Sequence, residues 1–185
     1  MESDKEVLAE SVTYDVKISF KERFSFALGD FFGGGAGSLV TTVYVVYLAL
    51  NGLSTGLAAS IAMIAKIWDA VTDPLMGVLS DNTRTRFGRR RPYIFAGGLM
   101  VILSFALLFL PLYGMETMWV KYVIYLLAYL VFSTVSTVIS VPYSALLTEM
   151  TGSHEERNKI TTLRLVVSML STAISAGVPI LLVEA

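Results

Sequence analysis

Residues 66–74 read KIWDAVTDP, one lysine and two aspartates set in an apolar stretch, with IAMIA ahead and LMGVL behind. Successive residues of a helix turn by about 100°. Lys66, Asp69 and Asp73 stand at i, i+3 and i+7, so all three project from one face. A charge held in lipid without a partner costs about 2.5–3.5 kcal/mol on insertion scales. Such a face belongs against a bundle interior or a wet cavity. Two carboxylates four residues apart repel unless a cation lies between them or one is protonated. Lys66, one turn from Asp69, can offset part of that charge. Read as structure alone, the same residues would make an internal Lys66–Asp69 salt bridge that fixes helix packing.

The rest of the chain supplies the membrane. Of 185 residues, 55% are hydrophobic and 16% charged, with a mean hydropathy of +0.67. Soluble domains carry about 25% charged residues, so the composition is that of an integral membrane protein. The net charge of -1 argues against a nucleic-acid partner. There is no cysteine and a single histidine, His154. Disulfides, thiol catalysis and histidine-based zinc sites or triads therefore cannot be assembled from this chain. Residues 1–20 are acidic and polar and lack the pattern of a signal peptide; they read as a soluble tail.

A helix needs about 20 apolar residues to span a bilayer. Five stretches qualify, near 24–50, 54–80, 92–113, 119–148 and 160–183, giving an all-α polytopic membrane bundle over 21–185. The runs do not alternate, so a β-barrel does not fit. Asn51-Gly52 ends the first helix and Ser54 caps the second. Pro111 and Gly114 mark the next turn, and Thr151-Gly152-Ser153 ends the fourth helix. Ser153-x-x-Glu156 has the form of a capping box for the fifth.

Basic residues set the orientation. Lys5, Lys17, Lys21 and Arg23 precede helix one. Arg84, Arg86, Arg89, Arg90 and Arg91 lie between helices two and three. Arg157, Lys159 and Arg164 lie about the start of helix five, and the opposite connectors hold only Lys121. The N-terminus is expected in the cytoplasm of a cell inner (plasma) membrane, with Tyr113, Trp119 and Tyr122 as an outer aromatic belt. The chain stops at VEA straight after its fifth span, as a truncated chain would.

Other polar residues in the spans point toward the same chemistry. Helix one holds Asp30 in ALGDFFGGGAG, where Gly33 and Gly37 form a small-xxx-small pair suited to close helix approach. Helix four carries Ser133, Ser136, Thr137, Ser140 and Ser144 as a hydroxyl stripe, which could equally be interhelical glue. Pro142 favours a kink. Hard cations prefer oxygen ligands; two carboxylates with a threonine nearby suit Na⁺, and the same acids could take up a proton. Asp81 precedes the arginine-rich run GVLSDNTRTRFGRRRPYI (77–94), and a pairing of Asp81 with Arg89 or Arg90 would make a conformational gate.

The run KIWDAVTDPLMGVLSDNTRTRFGRRRPYI resembles the signature of the glycoside–pentoside–hexuronide:cation symporters, the melibiose permease-like branch of the major facilitator superfamily. The resemblance runs from about residue 20 to the end and covers the first five helices of a twelve-helix fold, an incomplete N-terminal half. It implies that Asp69 and Asp73 bind the coupling cation (Na⁺, Li⁺ or H⁺), with Thr137 and Thr72 at the same site. It implies that Asp30 and Arg164 border the substrate. Where the type member has an aspartate and a tryptophan in helix four, this chain has Ser140 and Ser144, which the resemblance implies also border the substrate, without the stacking platform and one acid.

The expected activity is cation-coupled symport of a sugar or glycoside by alternating access, without enzymatic chemistry and without a cofactor beyond the cation. The expected partners are a small-molecule substrate, a monovalent cation, the bilayer and the remaining helices of the same protein. A lysolipid substrate, as in an animal branch of the family, is an alternative, as is a non-transporting protein on the same fold. A metal-dependent membrane phosphotransferase needs an Asp-Gly signature that this sequence lacks.

Overall fold

The computed structural model describes residues 18–112 and 117–184, with side chains described through Gly177. Within that range five helices follow one another: α1 (Phe20–Leu50), α2 (Thr55–Asn82), α3 (Arg91–Leu108), α4 (Met118–Met150) and α5 (His154–Glu184). No strand occurs among the described residues. By length and composition α1, α3, α4 and α5 can each cross a membrane. α2 has the length, at 28 residues, but Lys66, Asp69 and Asp73 dilute its apolar content. Four of the five expected spans thus meet both criteria, and α2 meets the length alone.

The helix ends are where the expected boundaries need correction. α1 starts at Phe20 rather than near 24, because the Glu22 carboxylate accepts the Ser19 N–H at 2.9 Å and caps the first turn. α3 stops at Leu108 rather than 113. Pro111 disfavours helical backbone just before it, and Phe109 has already left the helix at φ −99, ψ 25. α5 starts at His154 rather than 160. The box expected there is not made as drawn: Ser153 N–H donates to Thr151 Oγ1 at 3.1 Å. Glu156 instead meets Arg23 at 2.6 Å and Lys159 at 3.3 Å. The turn at Asn51-Gly52 forms as expected, with Gly52 at φ +89, a conformation open to glycine. Ser54 Oγ accepts the Leu57 N–H. Tyr113 and Gly114 lie outside the described residues, as do Lys5, Lys17 and the tail through residue 17.

The chain divides into two compact units, residues 38–143 and residues 1–37 with 144–185. The divisions fall beside two irregular points. One is the π-helical segment Val40–Tyr44 of α1; the other is Pro142 inside α4.

The 38–143 unit has an aromatic core of Tyr44, Tyr125, Tyr129 and Phe132 packed with Leu48, Ile61, Ala65 and Leu108. Its phenols are tied into the fold: Tyr44 Oη donates to Tyr125 O at 3.3 Å and Tyr47 Oη to Phe109 O at 3.0 Å.

In the other unit the start of α1 packs on α5. The close approach is at Gly34 and Gly35, not at the expected pair Gly33 and Gly37. A Cβ at Gly34 would stand 2.5 Å from Ser168 O, and one at Gly35 would collide with Ser171 Oγ. Gly37 faces open space. The glycine run offers several pairs of small residues, and only the partner helix decides which one is used. Ser171 Oγ donates to Phe31 O at 2.5 Å and Thr172 Oγ1 to Gly34 O at 3.2 Å, binding the two backbones together.

Candidate functional site

The charged face of α2 meets α4 through two matched pairs. The Ser133 hydroxyl donates to Asp69 Oδ1. One helical turn on, Thr137 Oγ1 donates to Asp73 Oδ1 at 2.8 Å. Each partner lies 64 residues beyond its aspartate, so the two helices run parallel here with their four-residue periods in step. Gly77 continues the register: a Cβ there would be 3.9 Å from Val141, again 64 residues on. Beside these pairs Trp68 Nε1 donates to Thr134 Oγ1 at 2.9 Å, and Thr134 Oγ1 donates to Leu130 O. Lys66 Nζ lies 3.1 Å from Asp69 Oδ2, with most of its side chain exposed. The salt bridge and the acid pair therefore coexist, Asp69 using one oxygen for each partner.

Ser133 and Thr137 are buried, Asp69 is half-buried and Asp73 exposed. A hydroxyl that gives its proton to a carboxylate keeps lone pairs for a further partner. Two carboxylates and two hydroxyls thus form an oxygen set of the kind hard cations take. Among the described residues no three acidic or histidine side chains gather around a point, so the cluster is a two-carboxylate arrangement and not a multi-carboxylate cage. Thr72, expected at the same place, turns along its own helix: its hydroxyl donates to Trp68 O at 3.1 Å and Asp69 O at 3.4 Å. Ser133 and the Trp68–Thr134 link were not singled out by the sequence. Ser133 precedes Thr137 by the same four residues that separate Asp69 from Asp73, and that equal spacing was the available signal.

In the other unit, the helix-one acid and helix-five arginine do come together. Arg164 Nη2 donates to Asp30 Oδ1 at 3.0 Å, the two side chains only 16% and 19% exposed. The guanidinium also lies 5.6 Å from the centroid of the Phe26 ring, a cation–π distance. Ser140 and Ser144 are exposed on α4 and fall on opposite sides of the division between units.

The arginine-rich loop is ordered by its own contacts. Arg90 Nη2 donates to Asp81 Oδ1 at 2.6 Å, the arginine side chain 10% exposed and the aspartate 56%. Thr83 Oγ1 and Tyr93 Oη lie 2.6 Å apart, and Thr85 Oγ1 donates to Gly88 O at 2.5 Å. Arg89 lies in the same turn and is exposed.

A family model described as MFS/sugar transport protein matches residues 25–185. The chain belongs to this family. The family is one of membrane transporters, and several relatives similar to this chain are named as symporters. A putative glycoside/cation symporter of Escherichia coli is 28% identical, over 91% of this chain and 36% of that protein. The isoprimeverose transporter of Lactiplantibacillus pentosus is 29% identical, over 94% and 36%. The sodium-dependent lysophosphatidylcholine symporter 1 of Gallus gallus is 36% identical, over 65% and 22%. The chain spans about a third or less of the length of these relatives.

Proposed function

We propose that this chain supplies the first five helices of a symporter that moves a sugar or glycoside together with Na⁺ by alternating access. The observation that carries the reading is the pair of hydroxyl–carboxylate contacts between α2 and α4, Asp69 with Ser133 and Asp73 with Thr137. A cation bound at Asp69 and Asp73 cancels their repulsion and organises α2. Asp30 and Arg164 hold substrate hydroxyls through a pre-formed charge pair. Whatever factor the cation adds to substrate affinity, substrate adds to cation affinity. The Asp81–Arg90 pair, with Arg89 in the same loop, acts as a clamp on one conformation. The N-terminus and the arginine-rich loop lie in the cytoplasm. Li⁺ or H⁺ in place of Na⁺ keeps the same residues in the same roles.

The test uses the protein from the complete reading frame, reconstituted in liposomes, with isoprimeverose and a panel of other glycosides as probes. An inward Na⁺ gradient should raise initial uptake about tenfold, and Asp69→Asn or Asp73→Asn should remove that stimulation. Full Na⁺- or H⁺-dependent uptake in both variants overturns the cation site. A lysolipid substrate is the second reading, favoured by the 36% identity to the lysophosphatidylcholine symporter. It is also favoured by Ser140 and Ser144, which stand where the sugar-binding acid and tryptophan are missing. Na⁺-driven uptake of lysophosphatidylcholine, with no response to any glycoside, selects it.

A further inference from the structure

We infer that Ser133 is an oxygen ligand of the coupling cation, in the place that Thr72 was expected to fill, and that it biases the site toward metal ions over protons. The inference rests on the symport reading above. Thr72 stands on the acidic helix, but its proton goes to the carbonyls of Trp68 and Asp69. Back-bonding of this kind aligns a hydroxyl with its own backbone. Ser133 does the opposite. It comes from the neighbouring helix, is 6% exposed, and gives its proton to the Asp69 carboxylate. Its lone pairs stay available, as do those of Thr137 beside Asp73.

The geometry is repeated rather than isolated. Both hydroxyl–carboxylate contacts span 64 residues, and Gly77 with Val141 extends the same register. A one-residue shift of either helix would break both pairs at once. The outcome is two acids from α2 and two neutral oxygens from α4. A metal ion needs the neutral oxygens to replace its hydration shell. A proton needs only a carboxylate. Loss of the Ser133 oxygen therefore weakens Na⁺ and Li⁺ and leaves proton binding in place.

The test is Na⁺-dependent thermal stabilisation of the purified full-length protein, with NaCl exchanged for choline chloride at constant ionic strength. It is repeated with LiCl, and with choline chloride alone across a pH series. Ser133→Ala should raise the Na⁺ and Li⁺ midpoints about tenfold or more, within the 10- to 100-fold range typical when a group supporting a metal site is lost. The response to pH should remain. Ser133→Cys, which keeps the size but replaces oxygen with sulfur, should lose Na⁺ response in the same way, and Ser133→Thr should regain it. Thr72→Ala should leave the Na⁺ midpoint where it was. An unchanged midpoint in both Ser133→Ala and Ser133→Cys overturns the inference while the symport reading stands. So does a loss of that size in Thr72→Ala. A wild-type protein that responds to pH alone overturns the metal-ligand role, and one that responds to neither cation nor pH overturns the symport reading along with it.

Discussion

Arg164 and Asp30 are 134 positions apart in the chain and 3.0 Å apart in space. Each was visible in the sequence as a charge beside apolar residues, but sequence separation hides the pairing, and the same holds for Ser133 with Asp69. What the sequence does report is cost: an uncompensated charge in lipid is unfavourable by about 2.5–3.5 kcal/mol, so each such residue announces that a partner exists without saying which. A prediction follows from that asymmetry. Arg164→Gln leaves the Asp30 carboxylate without its counter-charge and should destabilise the protein by about 2–3 kcal/mol. The double variant Asp30→Asn/Arg164→Gln removes both charges and should recover most of that loss. Melting curves in detergent read the stability. Uptake should stay abolished in the double variant if the pair holds substrate; recovery of uptake along with stability would reduce the pair to a packing element.

At the scale of elements, helix existence was legible and helix contact was not. Long apolar runs and the Asn51-Gly52 turn locate the helices, while the ends shift wherever a local competitor acts, as Ser19 with Glu22 does for α1 and Pro111 for α3. The choice among glycines shows the limit most clearly. Gly33 and Gly37 have the familiar spacing, yet α5 closes on Gly34 and Gly35. The glycine spacing describes one helix alone, and the serines that meet it lie more than 130 residues away. Gly35→Ala should cost about 1–3 kcal/mol by overpacking against Ser171. Gly37→Ala should be neutral or slightly stabilising through helix propensity. Ser171→Ala opens the space and should offset part of the Gly35→Ala loss, though it also removes the bond to Phe31 O. Gly34→Ala meets the Ser168 carbonyl and neighbouring backbone and should not be rescued by Ser168→Ala. A double-mutant cycle on melting temperature separates the two cases; equal rescue at both positions would show that the side chains, and not the backbone, set the helix separation.

For the whole molecule, orientation is the property that charge alone dictates. Four arginines, Arg84, Arg86, Arg89 and Arg90, sit between α2 and α3, Arg91 opens α3 and three further basic residues lie about the start of α5, against one lysine, Lys121, in the first turn of α4. In the proposed orientation the Asp81–Arg90 pair lies at the cytoplasmic end of α2 and the Lys121 contact with Asn51 O, at 3.3 Å, at the outer end. These 185 residues contain no cysteine, so single cysteines introduced here are read against a clean background over this stretch. Thr117 and Arg86 are both exposed and stand on opposite sides in this orientation. Thr117→Cys should react with a membrane-impermeant maleimide on intact cells. Arg86→Cys should react only after permeabilisation, because Arg84, Arg89 and Arg90 remain in its loop, with Arg91 beside them, to hold the bias. The reverse pattern would put the arginine-rich loop outside. The Asp81–Arg90 pair would then lie at the outer end of α2 and could clamp only the outer mouth.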